Sequence, residues 1–171
     1  MSWWVIALML LVNFILQSTV FQYIAIMDIM PDSALVIVVA VSILIGNRRG
    51  AVVGAAAGIM QDIVYGKPVG ITALSYMLAG YIVGEYSGRV FKERLVVPVF
   101  FTAGATLLKY FISIFFNYVL GVPTGIPVYI RHYIPVELIY NCAVSALLYR
   151  VLYLALNRST TLPRVRAKKR R

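Results

Sequence analysis

The stretch Asn47-Arg48-Arg49-Gly50-Ala51-Val52-Val53-Gly54-Ala55-Ala56-Ala57-Gly58-Ile59-Met60-Gln61-Asp62 decides how this chain folds. Two arginines stand directly before a run of small and apolar residues, and Gly50, Gly54 and Gly58 recur at every fourth position. Four residues turn an α-helix by only about 40° more than a full revolution, so the three glycines form a ridge on one face. In lipid no hydrophobic force drives helices together, and close backbone contact between small residues takes its place. A basic pair followed by such a ridge reads as the start of a membrane helix with its arginines at the cytoplasmic surface.

Outward from this stretch the chain divides into six apolar segments, at about 2–26, 32–45, 50–65, 70–88, 96–120 and 135–157. Pro31 and Asp32 suit a helix start for the second. A spanning helix needs roughly 20 apolar residues, so the short second and third segments read as thin spans or as a re-entrant pair. The basic connections are Arg48-Arg49, then Arg89 with Lys92 and Arg94, then a tail holding Lys168, Lys169, Arg170 and Arg171. The alternate connections are poor in Lys and Arg. Six spans place every basic stretch on one side, whereas five would divide them. The positive-inside rule makes that side cytoplasmic, together with both termini. The expected fold is therefore an all-α integral membrane domain over 1–157, with a basic cytoplasmic tail over 158–171.

Composition agrees and narrows the function. Of the 171 residues, 61% are hydrophobic, and 16 Lys and Arg stand against 6 Asp and Glu. A soluble domain is typically about 45–50% apolar. The basic excess flanks apolar segments, so it reads as a topology signal or a contact with anionic lipid, and nucleic acid is rejected as a partner. The tail has a sharper alternative as a docking site for a cytoplasmic protein. Cys142 and His132 are each the only one of their kind. No metal spacing, nucleophile motif or phosphate loop occurs, so neither catalysis nor a cofactor is expected.

A second ridge follows in the fourth segment, where Tyr76, Gly80, Gly84 and Gly88 recur every four residues. The two ridges are expected to pack against each other or against a neighbour. Polar residues within spans are costly and usually face protein. Asp62 lies roughly 20 Å along its helix from Arg49, and Lys109 a similar distance from Leu95. The expectation is a buried layer of Gln61, Asp62, Lys109 and Asn141, joined by Gln17, in which a Lys–Asp pair fixes helix register. Partner docking and a substrate or proton path are the alternatives. Near the inner surface Glu85 and Arg150 form a second possible pair, with snorkelling to the headgroups preferred for Arg150. The connection 121–135 is rich in proline and aromatics and reads as an interfacial loop, or alternatively as an external docking surface.

These motifs carry a family resemblance. Pro31-Asp32, Arg48-Arg49-Gly50-x-x-x-Gly54-x-x-x-Gly58, Gln61-Asp62, Gly66-x-Pro68-x-Gly70, Ala73-Leu74-Ser75-Tyr76 and Gly80-Tyr81-x-x-Gly84 together resemble the bacterial rod shape-determining protein family MreD. The motifs cover roughly 30–90, and the remainder matches in length and hydropathy. Lys67 departs from the small or polar residue expected there. The resemblance implies a non-enzymatic component of the cell elongation machinery in the bacterial inner membrane. It implies MreC as the direct partner, with MreB, RodA and a class B penicillin-binding protein in the same assembly for lateral peptidoglycan synthesis. It also implies a fold like the substrate-binding subunits of energy-coupling-factor vitamin transporters. A small-molecule-binding transporter subunit is accordingly the alternative function. On the scaffold reading the glycine ridges and Asp62 contact the MreC helix, and Arg48, Arg49 and the tail face MreB or lipid.

Overall fold

A computed structural model of the chain describes residues 3–19, 23, 29–65, 70–86, 96–121, 127 and 129–159, the last nine as backbone only. Among these residues the protein is all-helical: α1 (Trp3–Thr19), α2 (Ser33–Ile45), α3 (Asn47–Val64), α4 (Ile71–Glu85), α5 (Val96–Val119) and α6 (Ile134–Ser159). A short π-helical turn, Tyr129–Tyr133, leads into α6.

The second helix forms the core. Its sequence, Ser-Ala-Leu-Val-Ile-Val-Val-Ala-Val-Ser-Ile-Leu-Ile, is apolar on every side and rich in β-branched residues. Intrinsic propensity alone does not favour a helix there. A helix that is hydrophobic all round must instead be surrounded, and every residue from Ser33 to Ile43 is buried. The other five helices all contact it. Asp32 opens α2 by accepting a hydrogen bond from Leu35 N at 3.1 Å, which satisfies one of the free amides of the first turn. Gly46 ends α2 and starts α3, and its φ of +89° is a conformation that a side chain disfavours. At 13 residues α2 is about 20 Å long, short of the roughly 30 Å hydrocarbon thickness.

Around this core stand two antiparallel helix pairs, each joined at three- or four-residue intervals. In the first, α3 and α4 approach backbone to backbone. A Cβ built on Gly50 would lie 2.7 Å from Gly80 O, and one on Gly54 would lie 2.6 Å from Tyr76 C. On Gly58 it would meet Ala73 N at 2.6 Å, and on Gly84 it would meet Asn47 N at 2.5 Å. In the second pair the joints are polar. Thr102 Oγ1 donates to Ser145 Oγ at 3.0 Å, Asn141 Nδ2 donates to Thr106 Oγ1 at 3.0 Å, and the Tyr110 hydroxyl donates to Glu137 at 2.5 Å. Residues 102, 106 and 110 therefore face 145, 141 and 137 in reverse order.

By length and composition, α5 is the described helix long and apolar enough to cross a membrane; α1 and α2 are apolar but shorter. The large apolar side chains left outside the core are spread over the helices around α2. They include Trp4, Leu8 and Ile15 on α1, Ile59 and Ile63 on α3, and Ile82 on α4. Phe100, Phe111 and Phe115 on α5, and Ile139 and Leu147 on α6, extend the same surface.

Candidate functional site

The start of α2 is where the two ladders meet. Asp32, buried at 6% exposure, receives Lys109 Nζ from α5 at 2.8 Å. The Tyr76 hydroxyl of α4 sits 2.5 Å from both of its carboxylate oxygens. Lys109 also contacts Glu137 Oε1 on α6. Asn141 closes the ring: its Oδ1 accepts from Asp32 N at 2.7 Å, and its Nδ2 also approaches Glu137 Oε1 at 3.3 Å. Gln61 Nε2 of α3 lies 3.4 Å from Gln17 Oε1, Asp32 Oδ1 and Tyr76 Oη alike. Four helices, α3 to α6, thus send a polar side chain to Asp32, the residue before α2, and Gln17 of α1 joins them through Gln61 and Ser33.

A cleft of about 210 Å³ opens on this cluster, lined by Gln17, Met30, Pro31, Asp32, Gln61, Tyr65, Tyr76, Lys109 and Glu137. The buried charges hold each other in place. Two carboxylates share one ammonium, and the tyrosine hydroxyls donate to the remaining lone pairs, which is the arrangement that makes buried charge tolerable.

The expected polar layer is thus partly regrouped. Gln61, Lys109, Asn141 and Gln17 do come together, but the acid paired with Lys109 is Asp32, and the expected Lys109–Asp62 pair is not formed. Asp62, 1% exposed, turns instead to the start of α4. Its Oδ2 accepts from Gly70 N at 2.8 Å and from Ala73 N at 3.3 Å. It therefore caps α4 from across the connection, supplying an acceptor that Gly70 lacks. Among the buried polar atoms its other oxygen has no partner in the described residues. The carboxylate Glu85 accepts from Asn47 Nδ2 at the far end of the α3–α4 pair, so it is not paired with Arg150, which is exposed.

Gly50, Gly54, Gly58, Gly80 and Gly84 face within the α3–α4 pair. Their ridges are already filled by the chain itself, so they leave no face for a partner's helix. Tyr76, read from its spacing as a ridge residue, places its backbone against Gly54 and its hydroxyl in the polar cluster. Arg48 and Arg49 are exposed at the start of α3. Gly88, Arg89, Lys92, Arg94 and the tail residues Lys168, Lys169, Arg170 and Arg171 lie outside the described residues, as does Gly66-x-Pro68.

Glu137 and the double role of Asp32 were missed from sequence. A signal existed for Glu137, since Glu137, Asn141, Ser145 and Tyr149 recur every four residues and all four are buried. A second hollow, about 250 Å³ and apolar, lies between α4 and α5. Its walls include Ala79, Ile82, Val83, Phe100, Phe101 and Leu108, with Gly104 among them. A Cβ on Gly104 would meet nothing within 4 Å.

Compared with known proteins, residues 1–159 match the family model described as rod shape-determining protein MreD. No curated protein and no solved structure matches the chain.

Proposed function

The chain belongs to the MreD family of rod shape-determining proteins, and on that premise we propose that it is a non-enzymatic, multi-pass membrane scaffold that docks MreC and links it to lateral peptidoglycan synthesis. The family match places it in rod shape determination. The finer reading draws its support from the surface. Soluble monomers rarely expose contiguous apolar patches beyond a few hundred Å², whereas five helices here turn large apolar side chains outward around a buried α2. Lipid is the solvent that suits such a coat. On this reading six helices cross or enter the inner membrane, the termini with Arg48 and Arg49 are cytoplasmic, and MreB, RodA and a class B penicillin-binding protein belong to the same assembly.

The observation that carries the docking site is the α4–α5 hollow. Helices associate in lipid through small residues that permit close approach. The ridge glycines are spent inside the α3–α4 pair, and Gly104 is the described helix glycine with open space above it. A single transmembrane helix, as MreC supplies, fits an apolar groove of that form. The test is recovery of MreC with the tagged chain from solubilised native membranes. Wild type should retain MreC and Gly104→Leu should lose most of it, at unchanged thermal midpoint. Absence of MreC from the wild-type fraction, or undiminished recovery with the variant, would overturn the proposal.

A further inference from the structure

The two helix pairs around α2 are fastened by different means, and α1 has neither. In α3–α4 glycines let the backbones meet, and in α5–α6 polar joints cross the pair. Helix α1 packs chiefly against α2. It buries one narrow stripe, Ile6, Leu10, Asn13, Phe14 and Gln17. The apolar members of that stripe are large, with no glycine, alanine or serine among them to bring two backbones close. From Val5 to Val12 every side chain is apolar, so this half of the helix has no side-chain hydrogen bond to offer. The polar contacts gather at the other end. There Gln17 Oε1 accepts from Ser33 Oγ of α2, from Gln61 Nε2 of α3 and from Asn13 Nδ2 of its own helix, each at 3.4 Å.

We propose that α1 is a hinged arm, pivoting about Gln17 so that its Trp3 half swings away from α2 and returns. The difference between its two ends sets this motion. In lipid, burying Ile6 and Leu10 against α2 brings no hydrophobic gain over burying them among acyl chains. The slot that opens is apolar on both walls. Ile6 and Leu10 stand on one side, and α2 presents Ala34 to Ile43 on the other, with Ser42 already donating to Val38 O of its own helix. Acyl chains therefore fill the slot without stranding a polar group. At the opposite end, withdrawal would carry Asn13 and Gln17, each 5% exposed, into hydrocarbon, where polar side chains without partners are costly. That end stays fixed, so α1 tilts and does not detach. The arm gives α2, enclosed on every side when α1 is seated, one lateral face that can meet the membrane.

The inference rests on the membrane setting of the proposed function and is independent of MreC docking. Double electron–electron resonance on the full chain in lipid nanodiscs tests it, with Cys142→Ser as background and nitroxide labels on two pairs of exposed positions. Leu8→Cys with Val52→Cys stands nine residues before the Gln17–Gln61 contact on both helices, and Ile15→Cys with Ile59→Cys two residues before it. The first pair should show a second distance about 5 Å longer, the shift that a tilt of about 20° gives over that length of helix. The second pair should show one narrow distance. Gln17→Leu removes the pivot and should broaden the second pair as well. A single narrow distance at both pairs, equal broadening at both in the unaltered background, or a second pair left narrow by Gln17→Leu would overturn the proposal. Failure of the chain to enter nanodiscs would overturn the membrane reading and the pivot together, whereas a single distance for the first pair within them overturns the pivot alone.

Discussion

At the scale of single residues, Asp32 joins most of the structure. One carboxylate caps α2 through Leu35 N, holds Lys109 of α5 and receives the Tyr76 hydroxyl of α4, while its own amide donates to Asn141 of α6. Asp32→Ala removes the cap and leaves a buried ammonium with one acid fewer. Loss of one partner of a buried pair costs about 3–5 kcal/mol. Asp32→Asn keeps the capping oxygen, and Asn is as good a cap as Asp, so it should lose clearly less. Reversible unfolding in mixed micelles measures both, and two variants as stable as wild type would remove Asp32 from this role. The sequence exposed the helix start at Pro31-Asp32 but not the ion pair. Depth along a helix told that Lys109 and Asp62 could share a layer; it could not tell which acid Lys109 reaches. Asp32 sits at a helix terminus, outside the span in which intramembrane acids are sought.

At the scale of elements, two ladders of opposite chemistry do the joining. The α3–α4 pair uses absence of side chains, and the α5–α6 pair uses hydroxyl, amide and carboxyl groups. Glycine periodicity is plain in sequence, because nothing else explains Gly50, Gly54 and Gly58 in a helix at a stability penalty of nearly 1 kcal/mol each. The polar ladder was harder to see, because Thr102, Thr106 and Ser145 are common in apolar helices and their hydroxyls can bond back to their own backbone. What periodicity left open was whether the ridges face each other or a partner. They face each other, so substitution there acts on the fold. In Gly58→Leu the new side chain would run into the Ala73 backbone, which no rotamer change relieves. Overpacking of this kind costs about 1–3 kcal/mol or more. Hydrogen exchange should show protection lost across α3 and α4 and kept in α5 and α6. Unchanged protection in α3 and α4 would mean that the close approach is not needed.

At the scale of the whole molecule, hydropathy and charge pointed to six helices, and six are described. Their extents could not be read so well. The second segment looked like a thin span, and its burial on every side explains why it is apolar throughout and yet only 13 residues long. The proposed arrangement sets this bundle in the membrane with α2 enclosed, the basic start of α3 inside the cell and the end of α5 outside. Impermeant maleimide labelling of single cysteines in intact cells tests it most directly, with Cys142→Ser as background and Arg49→Cys and Leu120→Cys as reporters, both at exposed positions. Leu120→Cys should react in intact cells and Arg49→Cys only after the membrane is permeabilised. Equal labelling of both reporters, the reverse pattern, or recovery of the chain in the soluble fraction would contradict it.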